Sequence, residues 1–185
     1  MQEVTQAHET APAQGSLWIP LALSLTCLLA YHSTSLLNEF VDFDDPVVFL
    51  TNPLINGPEI WPMFDLSKLN WRPVRDLSHW LDFQLHGHNP FLSHLHNLIL
   101  LLICACSVIW FSFRLGLSRR LIPLAAFLAF AHPTQVESIA WVSGRKDLLA
   151  ATFAFAALAL TDHAIRRPFD IKAVILISTL TALGI

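Results

Sequence analysis

Residues 95–113 read LHNLILLLICACSVIWFSF, a run with no Asp, Glu, Lys or Arg and close to the roughly 20 residues a helix needs to cross the hydrocarbon of a bilayer. Working outward, residues 17–37, 148–165 and 171–185 are apolar blocks of the same kind. Residues 121–131 are too few to span alone at about 1.5 Å per residue. Continued through His132 and Pro133 to Val142, they make a fifth span kinked at the proline. Hydrophobic residues are 54% of the 185-residue chain and charged ones 14%, unlike a soluble domain. The expected fold class is all-α: a multi-pass transmembrane helical bundle with spans at 17–37, 95–113, 121–142, 148–165 and 171–185.

Short loops rich in Lys and Arg stay in the cytoplasm. Arg114, Arg119 and Arg120 mark one such loop, and Arg166, Arg167 and Lys172 another. Counting back puts the tail, residues 1–16, in the cytoplasm and the loop 38–94 outside, together with the turn at Gly144. The external loop holds the acids Glu39, Asp42, Asp44, Asp45, Glu59, Asp65, Asp76 and Asp82 against Lys68, Arg72 and Arg75. The first apolar block has no positive n-region and no clear small-x-small cleavage site, so it reads as an uncleaved signal anchor.

Cys27, Cys104 and Cys106 all fall inside spans, and the last two point to different helix faces, so no disulfide or zinc site is implied. The net charge of −3 says little about partners, and no basic stripe interleaved with aromatics suggests nucleic acid. The sequence stops inside an apolar run, which reads as a partial chain whose complete form carries more helices.

A loop of this length is far more than a connection requires. Within it Pro73 opens a helix that a glycine stops at Gly87. Leu77, Trp80, Leu81 and Leu85 fall on one side of that helix, with Arg75, Asp76, Asp82 and His86 elsewhere. The pattern is that of an amphipathic helix lying on the outer membrane interface, the alternative being a helix packed on the rest of the loop.

The chemistry-bearing residues fall in three groups. Asp42, Asp44 and Asp45 follow the first span, with Pro46 stiffening the exit. Such carboxylates can take a proton from an attacking hydroxyl or share a divalent cation, Mg or Mn, through oxygen ligands; alone, the same acids also suit a solvated turn. In HPTQVESIAWVSGRKD, residues 132–147, His132 and Glu137 are ionisable groups at the membrane edge, which are costly there and face a cavity or partner. Arg145 and Lys146 follow on a glycine turn, placed to neutralise a phosphate, though snorkelling would also explain two basic side chains at an interface. The third group is Arg72-Pro73 with residues 89–97, NPFLSHLHN, where His94 and Asn97 share a helix face. His79, His86, His88 and His96 lie nearby, but their spacing matches no metal signature.

In this order and at these distances, the chain resembles the transmembrane and tetratricopeptide repeat-containing O-mannosyltransferases and their bacterial relatives, of the C-type glycosyltransferase fold. The resemblance rests on VDFDDP (41–46), Asn52-Pro53, Trp71-Arg72-Pro73, Gly87 with Asn89-Pro90-Phe91, His94 with Asn97, and above all AHPTQVESIAWVSGRKDLLA (131–150). It covers residues 40–160. One departure is Leu101, where the family often places a second histidine.

The resemblance implies transfer of a sugar, mannose, from a polyprenyl-phosphate carrier to a protein hydroxyl on the external face, with inversion at the anomeric carbon. Asp44 or Asp45 is then the general base. Arg145, with Arg72 or Lys146, stabilises the departing phosphate, Asp42, His132 and Glu137 line the site, and a divalent cation is left open. It also implies a tetratricopeptide array after the membrane part, a membrane-lipid environment, and a place in the bacterial inner membrane. The fragment alone is expected to be inactive. The competing class is a non-enzyme: a scaffold recruiting partners through such repeats, or a transporter component, although a transporter would carry its charges at mid-membrane.

Overall fold

A computed structural model describes residues 18–67, 71–119, 121–165 and 171–183, and its regular elements are all helical. The tail 1–16, Lys68, Arg120, Arg166 and Arg167, used above to orient the chain, lie outside the described residues.

Helix α1, Trp18–His32, runs into a 3₁₀ turn Ser33–Leu37. The long loop then folds as a π-turn Pro46–Leu50, a one-turn helix α2, Pro53–Asn56, and a 3₁₀ turn Trp61–Phe64. Helix α3 is Pro73–His86, bounded as the sequence suggested: Pro73 needs no N–H partner at the first turn, and Gly87 at φ 63° and ψ −142° takes a backbone conformation closed to other residues. Helix α4, Pro90–Arg114, is capped by the Asn89 side chain, which accepts from Leu92 N at 3.1 Å. Trp18–Leu37 and Pro90–Arg114 are long and apolar enough to cross a membrane. Helices α5, Leu121–Ala131, and α8, Ile171–Leu183, are apolar but shorter, and α7, Arg145–Ile165, runs between them in sequence.

The span expected over 121–142 is not one kinked helix. It ends at Ala131 and resumes only as a 3₁₀ turn Pro133–Gln135, a short α6, Val136–Ala140, and a second 3₁₀ turn Val142–Gly144. The residue before a proline is pushed out of the helical region. His132 accordingly sits at φ −66°, ψ 136°, its ring accepting from Thr134 N at 3.3 Å, so the backbone stops rather than bends.

Specific bonds fix the helix directions. Ser24 donates to Pro123 O at 2.8 Å and the His32 ring meets Phe130 O at 3.0 Å, so α1 and α5 run parallel. Asn97 meets Arg145 and Arg114 meets Asp162, so α4 and α7 also run parallel. Leu21, Leu25, Ile109, Phe113, Ile122 and Ala126 pack at one end of this assembly, while Leu28, Leu98, Leu101, Phe130, Ile139 and Leu148 pack towards the other. Helix α1 therefore runs against α4, and α1, α4, α5 and α7 alternate in direction along the chain.

A buried arginine beneath a basic cleft

Arg145 opens α7, and its guanidinium is fully buried. Its Nε donates to Asn97 Oδ1 at 2.7 Å, Nη1 donates to Ser78 O at 3.2 Å, and Nη2 donates to Ser93 O at 3.1 Å while lying 2.6 Å from Asp82 Oδ2. One planar fork thus ties α3, α4 and α7 together. Asn97 extends the network by donating to Ile139 O at 3.3 Å and Trp141 O at 2.9 Å, which holds α6 and its exit.

Asp82 is buried and meets His96 Nδ1 at 2.5 Å through Oδ1, with His86 Nε2 at 3.7 Å. Burial by itself would raise this carboxyl, but the His96 hydrogen bond and the Arg145 charge outweigh it and hold it below its ordinary value. His79, one turn earlier on the same face, is completely enclosed, its ring centroid 5.3 Å from that of Phe49. Burial first, then Arg145, Arg75 and His96, keep it neutral well below the usual 6.5.

The sequence placed Arg145 on an exposed glycine turn. The turn exists, but it is packed face inward: a Cβ on Gly144 would lie 2.7 Å from Glu137 O and 3.0 Å from Ser138 Cα, so only glycine allows α6 to lie this close to the start of α7. That approach drives Arg145 into the interior, with all its donor edges occupied by protein.

The three aspartates also separate. Asp45 is fully buried: Oδ2 accepts from Val41 N at 2.8 Å, and Oδ1 accepts from Ser143 N at 2.9 Å and Ser143 Oγ at 2.5 Å. It ties the acidic segment to the chain three residues before Lys146. Asp44 is half-buried and Asp42 exposed. Both Asp45 oxygens are thus engaged by protein donors. Among the described residues no three His, Cys, Asp or Glu side chains gather as a metal site.

Beside this network lies a half-open cleft of about 660 Å³. Trp71, Arg72 and Arg75 from the start of α3 face Lys146 and Asp147 from the first turn of α7, and below them Leu149, Thr179 and Ala182 make an apolar wall between α7 and α8. Arg75 is engaged by Asp76 at 2.6 Å, whereas Arg72 is exposed and Lys146 half-buried. His132 and Glu137 are exposed and do not line this cleft. Sequence reasoning named His79 only among the loop histidines and Asp82 only among the loop acids, and it passed over Ser143. The available signal was in α3, where Arg75, His79, Asp82 and His86 recur three or four residues apart and so share one stripe.

Fold and site together define a helical chain with apolar helices of membrane-spanning length and, at one end of them, a buried ion-paired arginine beside a basic-rimmed apolar cleft. Its sequence is 29% identical over 190 residues, 91% of this chain, to a protein O-mannosyl-transferase of Caenorhabditis elegans. It is 30% identical over 144 residues, 70% of this chain, to protein O-mannosyl-transferase TMTC1 of Mus musculus, and 30% identical over 164 residues, 80% of this chain, to protein O-mannosyl-transferase Tmtc1 of Drosophila melanogaster. These are distant homologues, and the chain spans 26%, 15% and 19% of their respective lengths. No family model and no solved structure matches it. All three relatives are animal proteins, so they lend nothing to the bacterial membrane expected above.

Proposed function

We propose that this chain is part of a multi-pass membrane glycosyltransferase of the C-type fold, which moves a sugar, mannose, from a polyprenyl-phosphate carrier to a protein hydroxyl on the external face. The observation that carries the reading is the cleft. A polyprenyl phosphate is an anion on a long apolar tail, and here two basic side chains, Arg72 and Lys146, stand at the head of an apolar wall formed by α7 and α8. Distant homology to proteins named O-mannosyl-transferases supports the reaction class. The alternating directions of α1, α4, α5 and α7 support a chain threaded back and forth through a bilayer.

The acceptor hydroxyl oxygen attacks the anomeric carbon, its proton passes to the Asp44 carboxylate, and the bond from that carbon to the phosphate oxygen breaks with inversion. The polyprenyl phosphate leaves carrying the electron pair, its charge met by Lys146 and Arg72. Asp44 takes the base role in preference to Asp45, because a base must reach the hydroxyl directly or through one water and Asp45 is enclosed with its oxygens engaged. Asp42, exposed two residues before Asp44, is assigned to the acceptor side. Arg145 acts through its neighbours, fixing α3 against α7 so that Arg72 and Lys146 stand on opposite rims.

The test is transfer of label from polyprenyl-phosphate mannose to protein in membranes expressing the full-length protein, with wild type beside Asp44→Asn and Lys146→Ala. Loss of transfer in Asp44→Asn, with a raised KM for the donor in Lys146→Ala and normal folding of both, is the expected outcome. Full transfer by a folded Asp44→Asn variant would remove the base assignment, and no transfer by wild type would remove the donor.

A further inference from the structure

The cleft holds two groups that binding a lipid phosphate does not use. Trp71 and Asp147 line it beside Arg72 and Lys146. Each rim therefore pairs one cation with one further group: Trp71 with Arg72 just before α3, and Lys146 with Asp147 in the first turn of α7. Trp71 is 43% exposed and Asp147 is exposed as well. Ser138 Oγ donates to Asp147 Oδ2 at 3.3 Å. Among the described residues no donor meets Asp147 Oδ1, and neither Arg72 nor Lys146 forms an ion pair with this carboxylate.

A carboxylate beside two cations is out of place in a site for an anion alone, because it repels the phosphate that the cations attract. It suits a ligand that carries hydroxyl groups as well. An ionised carboxylate is acceptor-only, and its bonds from O–H donors are short and strong. The indole complements it, since the negative face of an aromatic ring attracts the C–H groups along one side of a sugar ring. Along α7, Lys146 lies three and four residues before Leu149 and Ala150, and Asp147 three before Ala150, so the polar groups stand at the open end of an apolar stripe. The cleft volume of about 660 Å³ falls within the roughly 300–1,000 Å³ of sites that hold small organic ligands. An acid in the first turn also suits the positive end of a helix, but that role needs neither a cleft nor a neighbouring indole.

We infer that Trp71 and Asp147 form the subsite for the sugar of a lipid-phosphate sugar, Asp147 accepting from its hydroxyl groups and Trp71 stacking on its ring, beside the cations that hold the phosphate. The inference rests on the lipid-linked donor proposed above. It makes Asp147 the residue that tells the loaded donor from the spent carrier. A bare polyprenyl phosphate offers Asp147 no hydroxyl, and as a phosphate monoester it carries about −1.5 to −2 charge at pH 7. The carboxylate thus attracts the donor through its sugar and repels the product through its charge, which favours release of the carrier after transfer.

Equilibrium binding of polyprenyl-phosphate mannose and of bare polyprenyl phosphate to the full-length protein in nanodiscs tests it, on wild type, Asp147→Asn, Trp71→Ala and Lys146→Ala. Asp147→Asn is expected to weaken donor binding about tenfold, the worth of a hydrogen bond to a charged group, and to tighten binding of the bare carrier. Trp71→Ala should weaken the donor and leave the carrier little changed, whereas Lys146→Ala should weaken both. Loss of a merely structural acid would move both ligands the same way. A shift of one sign for both ligands in Asp147→Asn, or no shift, therefore overturns the inference, as does full donor affinity in Trp71→Ala. Those outcomes with a wild type that binds the bare carrier leave the lipid-carrier reading standing, while a wild type that binds neither ligand sinks both. Co-elution of each variant with wild type on size exclusion, together with its retained carrier affinity, shows that it is folded.

Discussion

Arg145 and Asp82 form a fully desolvated ion pair, 0% and 2% exposed at their side chains. Removing one partner of such a pair leaves an uncompensated buried charge, worth about 3–5 kcal/mol. Arg145→Ala is therefore expected to lower the unfolding temperature far more than Lys146→Ala, one residue away but half-exposed. Arg145→Met combined with Asp82→Leu should cost less than the sum of the two single changes, which thermal melts in detergent would show. His79 makes a separate prediction. Its folded pKa lies well below the 6.5 of the unfolded chain, so between those two values only the unfolded state binds the proton. Stability then falls as the pH drops below 6.5, by about 1.4 kcal/mol per pH unit for this one group. His79→Gln removes that slope, and the difference between wild-type and variant melting curves from pH 7.5 to pH 5 isolates it from the other histidines. Asp82 adds stability of the opposite range: its pKa is lowered from 3.8, so its contribution is present at neutral pH and lost only as acid carries the pH below that value.

At the scale of elements, two glycines do different work. Gly87 ends α3 at a backbone conformation that carries about 1–3 kcal/mol of strain for another residue, while a Cβ there meets nothing within 4 Å. Gly144 has an ordinary backbone but no room, its absent Cβ lying 2.7 Å from a carbonyl oxygen. Gly87→Ala is expected to destabilise the protein and leave donor affinity at the cleft unchanged. Gly144→Ala should push α6 from α7, disturb the Ser143–Asp45 bonds and the seat of Arg145, and reduce donor affinity as well. Unfolding temperature measured beside donor KM separates the two. Both glycines were visible in the sequence, Gly87 by its place after the amphipathic repeat, Gly144 only as a turn. That the second is a contact and not a hinge depends on α6, which the sequence merged into a longer span because nothing local shows whether a helix stops or bends at Pro133.

Over the whole molecule, α4 and α7 are joined by polar contacts at both ends. Asn97 meets Arg145 at one end, and Arg114 meets Asp162 at the other with Nε–Oδ2 and Nη2–Oδ2 distances of 2.9 Å. The partners on each helix are 17 residues apart by these numbers, about 26 Å of helix rise, comparable with the roughly 30 Å hydrocarbon thickness, with apolar packing between. The far pair is 27% and 21% exposed and so better solvated, and Asp162→Ala is expected to cost less stability than Arg145→Ala and to leave the cleft intact. Alkaline carbonate extraction of membranes expressing the protein should leave it wholly in the pellet. Release into the supernatant would show that Trp18–Leu37 and Pro90–Arg114 are core helices of a soluble protein.

Local pattern was enough for the all-helical character of the described residues, because an unbroken apolar run and a proline-to-glycine amphipathic repeat declare a helix through propensity and periodicity alone. It was enough, too, to single out the acidic segment and the GRKD turn, whose residue types are costly near a membrane. The partners of those residues belong to tertiary structure. Asp45 meets Ser143 across 98 positions and Arg145 meets Asn97 across 48, and no periodicity reports a contact at such range. Which of two neighbouring charges is buried and which is not, Arg145 or Lys146, Asp45 or Asp44, depends on how the backbone turns from one residue to the next and on what packs against each side, and only the assembled chain supplies that.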